Sequence, residues 1–205
     1  VVFLPFSVNT RVMRCSRFFI KRFLLALIPL ILSTTAISNA YPYKSNAKLP
    51  SWAYQATIYE VNIRQYTPSG TFKEFEGHLP RLKELGVKIL WLMPIQPISQ
   101  TNRKGTLGSP YSVADYKRVN PEFGTEADFK ELIDKAHELG FRIIIDWVAN
   151  HSGWDNPWIT NKNWYHLNSS GDVIPPNSDW SDVAWLNYAN LDLREAMILM
   201  VFERM

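Results

Sequence analysis

Three side chains capable of chemistry stand together in "DWVANH", residues 146–151: the Asp146 carboxylate, the Asn150 amide and the His151 imidazole. A neutral imidazole donates a hydrogen bond from one nitrogen and accepts at the other, which suits it to gripping a hydroxyl. A fourth candidate, Tyr111 in "SPYSVADY", offers a phenol and an aromatic face. Each also has a plainer role. A histidine or tyrosine in a loop can simply pack, and Asp146 can cap a strand or pair with a neighbour. Where the chain places these residues decides between the two.

The surrounding pattern is that of alternating strands and helices. "ELGVKIL", residues 84–90, and "ELGFRII", residues 138–144, share one grammar: a helix end, a glycine suited to the left-handed cap, then an apolar strand. Thr125 and Asp128 make a capping-box-like start for the second helix, on which Phe129, Leu132, Ile133, Ala136 and Leu139 share a face. Phe72, Phe75, Leu79, Leu82 and Leu85 keep helical spacing in the first, which Pro80 divides into a short turn and a proper helix. An earlier strand, "ATIYEVNI", spans residues 56–63. The strands read as buried on both faces, which predicts a parallel α/β sheet. Helix-to-strand connections read as single glycines. The strand-to-helix connections, 94–124 and 148–190, are very long. Long loops on the carboxyl side of parallel strands are where α/β barrels keep their active sites, so Asp146 and His151 are expected at a barrel mouth.

Composition narrows the class. The 205 residues, 46% hydrophobic and 20% charged, suit one globular domain or part of a larger one. The formal charge of +3 misleads, because Arg11, Arg14, Arg17, Lys21 and Arg22 lie in residues 1–40, which hold no acid. The remaining 17 bases face 19 acids, so no nucleic-acid footprint is left. The basic flank, the apolar run "FLLALIPLIL" and the small-residue exit "SNA" give residues 1–40 the order of a secretory signal peptide. The run is short for a bilayer span and contains Pro29, so no stable membrane anchor is expected. Cys15, the only cysteine, falls within this segment, which leaves the exported chain without a disulfide. Residues 41–53 read as a linker and 54–205 as the domain, secreted or periplasmic. Five of the eight tryptophans, Trp154, Trp158, Trp164, Trp180 and Trp185, fall in the third long loop. Most are expected to form that loop's small core, with one or two touching a ligand.

Five segments in order resemble the α-amylase family of glycoside hydrolases: "IYEVNIRQYTPSGTF", "LKELGVKILWLMPI", "SPYSVADYKRVNPEFGT", "DWVANH" and "LNYANLDLREAM". The resemblance covers roughly residues 54–198. It implies a TIM (β/α)8 barrel, with about the first three βα units present and a domain-B-like loop after the third strand. It further implies α-glucan or malto-oligosaccharide substrates and cleavage or transfer at α-glucosidic bonds with retention. By the same resemblance His151 binds a hydroxyl of the sugar beside the scissile bond, Tyr111 forms the floor beneath that sugar, and Asp146 braces the site. Asn150 and Asn187 match or lie near calcium-ligand positions, although Trp185 stands where the family often has an acid.

Retaining glycosidases need a carboxylate nucleophile and a carboxylic acid flanking the bond. The family places these after the fourth and fifth strands, and no Gly-x-Arg-x-Asp segment occurs in these residues. Catalytic residues are therefore expected outside this sequence, and the chain alone is expected to be inactive and, with three recognisable strands, not to fold as a stable monomer. The alternative is a non-catalytic sugar-binding or interaction relative that keeps the barrel without the acids. The leader is directly testable: intact-mass measurement of the exported protein should show Tyr41 at the N-terminus, and retention of residues 23–32 would point to an anchor instead.

Overall fold

A computed structural model of the protein describes residues 48–202. The signal-like segment and residues 41–47 of the expected linker lie outside the described residues. The unit Ser51–Met205 opens with a 3-10 turn at Ser51–Gln55, so the last expected linker residues already belong to it.

Three parallel strands carry the unit, in the order β1 (Ile58–Val61), β2 (Ile89–Leu92) and β3 (Arg142–Ile145). Ile58 lies opposite Ile89, and Ile89 opposite Arg142, with the register unbroken to Val61, Leu92 and Ile145. Between β1 and β2 run three short helices, α1 (Ile63–Tyr66), α2 (Phe72–Glu76) and α3 (Leu79–Glu84). α2 begins where the Thr71 hydroxyl accepts from the Glu74 N–H, and Pro80 sits in the first turn of α3, where it costs no helical hydrogen bond. The proline thus separates two helices, as its position predicts. α4 (Glu126–Glu138) starts on a full capping box: Thr125 accepts from the Asp128 N–H, and the Asp128 carboxylate accepts from the Thr125 N–H at 2.7 Å.

α2, α3 and α4 cover one face of the sheet. Phe72, Phe75, Leu82, Leu90, Leu132 and Ala136 are almost wholly excluded from water there. Removing such side chains from water is the main stabilising term, roughly 1.5–3 kcal/mol for each large one.

Several sequence expectations need correction. Only β2 is buried on both faces; Ile58 on β1 and Ile144 and Ile145 on β3 are exposed, because each of these strands has a single neighbour among the described residues. Leu85 is 64% exposed rather than part of the helix face, since α3 ends at Glu84 and the chain turns away there. Each helix-to-strand connection is three or four residues, not a lone glycine. Gly86 (φ 88°) and Gly140 (φ 87°) do adopt the left-handed conformation that the repeated "ELG" requires. β1 is shorter than predicted, because Asn62 leads directly into α1.

The long loops have structure of their own. In the third, β4 (His151–Gly153) and β5 (Val183–Trp185) pair antiparallel, and α5 (Leu191–Phe202) follows. Asn190 opens α5 by accepting from the Leu193 N–H at 3.1 Å. A second apolar cluster, including Val113, Tyr165, Leu186, Leu193 and Met197, lies beneath these elements. The second and third loops come into close backbone contact at Gly153. A Cβ there would come within 2.5 Å of the Ser99 Cβ and 2.9 Å of the Ser112 carbonyl oxygen. Only glycine allows the Gly153 N–H to reach the Val113 carbonyl at 2.8 Å. Gly153→Ala should therefore lower unfolding free energy by about 1–3 kcal/mol, the usual cost of overpacking. Denaturant unfolding of the full-length protein measures it, and an unchanged midpoint would show that the two loops do not bear on each other.

Candidate functional site

Strand register places the first functional group. Trp91 on β2 lies opposite Ile144, and Asp146 follows two residues later on the same face. The Asp146 N–H donates to the Leu92 carbonyl at 2.9 Å, so the sheet pairing extends one step past β3 and fixes the carboxylate at the strand end. Both carboxylate oxygens are engaged. Oδ1 accepts from the Trp91 indole at 2.7 Å, and Oδ2 accepts from the Tyr111 hydroxyl at 2.8 Å. A carboxylate so occupied is suited to holding its neighbours in place.

Tyr111 comes from the second loop. The residue is 37% exposed while its hydroxyl stays tied to Asp146. Burial, then the hydrogen bond and charge of Asp146, and lastly the charge of Glu60, push the phenol well above its ordinary range. Tyr111 therefore remains a protonated donor, with its orientation set from the strand below.

His151 begins β4. Its carbonyl accepts from the buried Tyr116 hydroxyl at 2.8 Å, and its backbone lies opposite Trp185 on β5. The Asn150 amide nitrogen faces His151 Nδ1 at 3.0 Å. Because that nitrogen can only donate, Nδ1 accepts and the proton resides on Nε2. Burial lowers the imidazole's pKa, outweighing the Tyr111 carbonyl and the Asp182 carboxylate, which both favour the charged ring. At neutral pH the ring is an uncharged donor.

Tyr111, His151, Ser109, Trp180, Asp182 and Val183 line a cleft of about 290 Å³. A somewhat larger depression of about 360 Å³ lies by Trp52, Lys88 and Arg142, at the opposite ends of the strands from Asp146. The structure thus brings Tyr111, Asp146 and His151 together from three segments, and sets Asn150 beside His151. Asn187 follows Leu186, whose N–H donates to the Asn150 carbonyl at 3.2 Å, and its own Oδ1 accepts from the Ala189 N–H at 3.1 Å. Among the described residues no group of three or more His, Cys, Asp or Glu could hold a metal ion. Asn150 and Asn187 each carry a neutral amide oxygen, one kind of ligand that calcium accepts.

Trp91 and Asp182 belong to the site although their sequence context did not single them out, and Trp180, one of the five loop tryptophans named from the sequence, lines the cleft. Trp91 had one signal: a polar indole N–H within an otherwise aliphatic strand needs a partner. Asp155 proves to be a clip between loops. Its carboxylate accepts from the Ser99 hydroxyl at 3.0 Å, from the Gln100 N–H, and from the Thr101 N–H and hydroxyl. Burial pushes its pKa upward, but these hydrogen bonds together hold it below the usual carboxylate range.

A strand-end brace, an aromatic face and a neutral imidazole above a parallel sheet make the carbohydrate-active class of α/β barrel the natural comparison. The α-amylase catalytic-domain family matches residues 43–188. This chain belongs to the α-amylase family. It is 35% identical over 126 residues to "Alpha-amylase SusG" of Bacteroides thetaiotaomicron, a match covering 62% of this chain and 17% of that protein. It is 40% identical over 114 residues to a trehalose synthase of Pimelobacter sp., covering 53% of this chain and 19% of the relative. The crystal structure of an alpha-amylase from Lactobacillus plantarum superposes with a TM-score of 0.70 at 44% identity, covering 71% of this chain and 35% of that one. These catalytic-domain relatives imply the TIM-barrel fold. The chain spans well under half the length of each relative.

The state of His151 has a pH consequence. Between the ordinary histidine value of about 6.5 and the lowered native one, the unfolded chain binds more protons than the folded chain. Stability should be full above that ordinary value and fall as pH drops through the window. NMR titration of the His151 ring checks this directly, and a midpoint at or above the ordinary value would contradict the assignment of a buried, neutral donor.

Proposed function

We propose that this chain supplies the first three strand–helix units of an α-amylase-type barrel, and with them the sugar-holding side of its active site. The protein acts at α-glucosidic bonds of glucans or malto-oligosaccharides with retention of configuration, by hydrolysis or transfer, and is exported. The observation that carries this reading is the character of the cleft. Tyr111 presents an aromatic face, His151 is an uncharged donor, and Asp146 has both oxygens occupied. The Asp182 carboxylate is ion-paired to Lys104 at 3.7 Å. Such a surface offers hydrogen bonds and an apolar platform with little unbalanced charge, which matches a neutral polyhydroxyl ring.

In this reading the Tyr111 ring supports the C–H face of the sugar at the reacting position, while Asp146 and Trp91 fix the ring's tilt. His151 Nε2–H donates to a hydroxyl of that sugar. Such a bond helps most where it strengthens as charge develops towards an oxocarbenium-like transition state. Relatives that bear the names of an α-amylase and a trehalose synthase support the bond type while leaving both hydrolysis and transfer within the proposal.

The test uses the full-length protein with maltohexaose. Proton NMR of the first product should show the α anomer; a β product would rule out retention. His151→Ala should lower kcat/KM by roughly 2–4 kcal/mol, as for loss of a donor aimed at the transition state. Tyr111→Ala should weaken binding and turnover together. Binding of maltohexaose with no turnover would leave a sugar-binding protein in place of an enzyme.

A further inference from the structure

The third loop's five tryptophans are not equivalent. Trp158 and Trp164 stack edge to face at 5.2 Å, and Trp158 also packs on Tyr116 at 5.0 Å, all against the second apolar cluster. Trp154 packs there too and donates from Nε1 to the Ser181 carbonyl at 2.9 Å. Trp185 lies flat on His166 at 3.7 Å. Each of these four rings is accounted for by packing against its neighbours. Trp180 is not. It is 47% exposed, lines the cleft, and among the described residues has one ring neighbour, His151, in an edge-to-face contact at 5.7 Å.

An indole left in water forgoes much of the stabilisation that burial would give it. Its backbone is nevertheless held firmly. Asn177 accepts from the N–H groups of both Asp179 and Trp180, at 2.9 and 3.0 Å, and so caps the 3-10 turn Ser178–Trp180. From the second loop, Lys104 donates to the Asp179 carbonyl and pairs with the buried Asp182 carboxylate at 3.7 Å. The Ser112 hydroxyl donates to the Asp182 carbonyl at 2.8 Å, beside Tyr111 in sequence. Two loops thus cooperate to present an exposed aromatic ring at one place.

We propose that Trp180 is a sugar-stacking residue for the glucosyl unit adjoining the one on Tyr111, and that Lys104 positions it. The proposal rests on the functional reading above. Tyr111, His151 and Trp180 line one cleft, and the His151 ring feels the Tyr111 carbonyl and packs edge to face with Trp180 at 5.7 Å. In this proposal a sugar held by Tyr111 and His151 presents its neighbouring unit to Trp180, the other aromatic ring lining the same cleft. An indole face matches the C–H face of a pyranose, and a preset ring binds with little loss of side-chain freedom. Chain-length preference would then be set by a residue of the third loop, and the reacting sugar by the strand-end residues.

The experiment compares maltohexaose with α-glucosyl fluoride, which carries a single sugar and so cannot reach both aromatics, using the full-length protein and its Trp180→Ala, Trp180→Phe and Lys104→Ala variants. Trp180→Ala should raise KM for maltohexaose by about five- to twentyfold, the scale of one lost aromatic contact. The rise for the fluoride should be markedly smaller, and Trp180→Phe should recover part of the loss. Lys104→Ala should shift the same ratio in the same direction by less. Equal changes for the two substrates, or no change for either, would overturn the assignment. Calorimetric binding of maltohexaose separates the two readings should the protein not turn over: weaker binding by Trp180→Ala keeps Trp180 as a sugar contact while the enzymatic reading fails. Binding unaffected by Trp180→Ala, or undetectable in the unmodified protein, removes Trp180 from that role.

Discussion

The carboxylate of Asp146 is the joint on which the site depends. Its backbone is paired to the end of β2, so its position is as rigid as the sheet. Its two oxygens then gather one donor from a strand, Trp91, and one from a loop, Tyr111. Charge-assisted hydrogen bonds of this kind are about twice as strong as neutral ones and are directional. A loop residue thereby acquires the positional precision of a strand residue. The tyrosine ring can be left partly open to the cleft without becoming mobile, because its far end is anchored.

A second constraint operates above the sheet. The 94–124 and 148–190 connections are long, and long connections order themselves only when they gain contacts enough to offset the chain entropy lost. Here they order each other. Asp155 in the third loop collects donors from Ser99, Gln100 and Thr101 in the second, Gly153 lets the two backbones meet, and Lys104 reaches back to Asp179 and Asp182. His151 lies two residues from Gly153 and Tyr111 one residue from Ser112, so the same clasp that orders the loops sets the distance between the two cleft residues.

Much of this was legible in the sequence where a local rule governs it. The capping box at Thr125 and Asp128, the left-handed Gly86 and Gly140, the proline break before α3 and the parallel strand order follow from patterns within a dozen residues. Asp146 and His151 could be placed at the strand's carboxyl end for the same reason. Less legible was whatever depends on partners distant in sequence. Leu85 kept the helical period, yet the helix ended before it, and period alone does not report the end. The apolar runs of β1 and β3 suggested burial on both faces, whereas exposure is decided by neighbouring strands. Trp91 and Asp155 take their roles from groups some 55 residues away, and no local spacing announces such a pair.

The tryptophan-rich stretch that follows the strand shows how these constraints combine. A loop spanning residues 148–190 cannot share the sheet's core, because the helices α2 to α4 already occupy the face where that core forms. It needs apolar mass of its own, and Trp154, Trp158 and Trp164, together with Tyr165 and Leu186, provide it around β4 and β5. Large rings suit this purpose because each removes a large area from water while ordering few torsions. Once that satellite core holds the loop, a further ring need not be spent on packing. The capped turn at Asn177 can then keep Trp180 at the surface of the cleft, where an exposed indole would otherwise be a cost without return. The acid ending β3 and the aromatic loop that follows it are thus parts of one arrangement. The strand end fixes one aromatic face, and the loop, stabilised by its own core and clasped to its neighbour, fixes another in the same cleft.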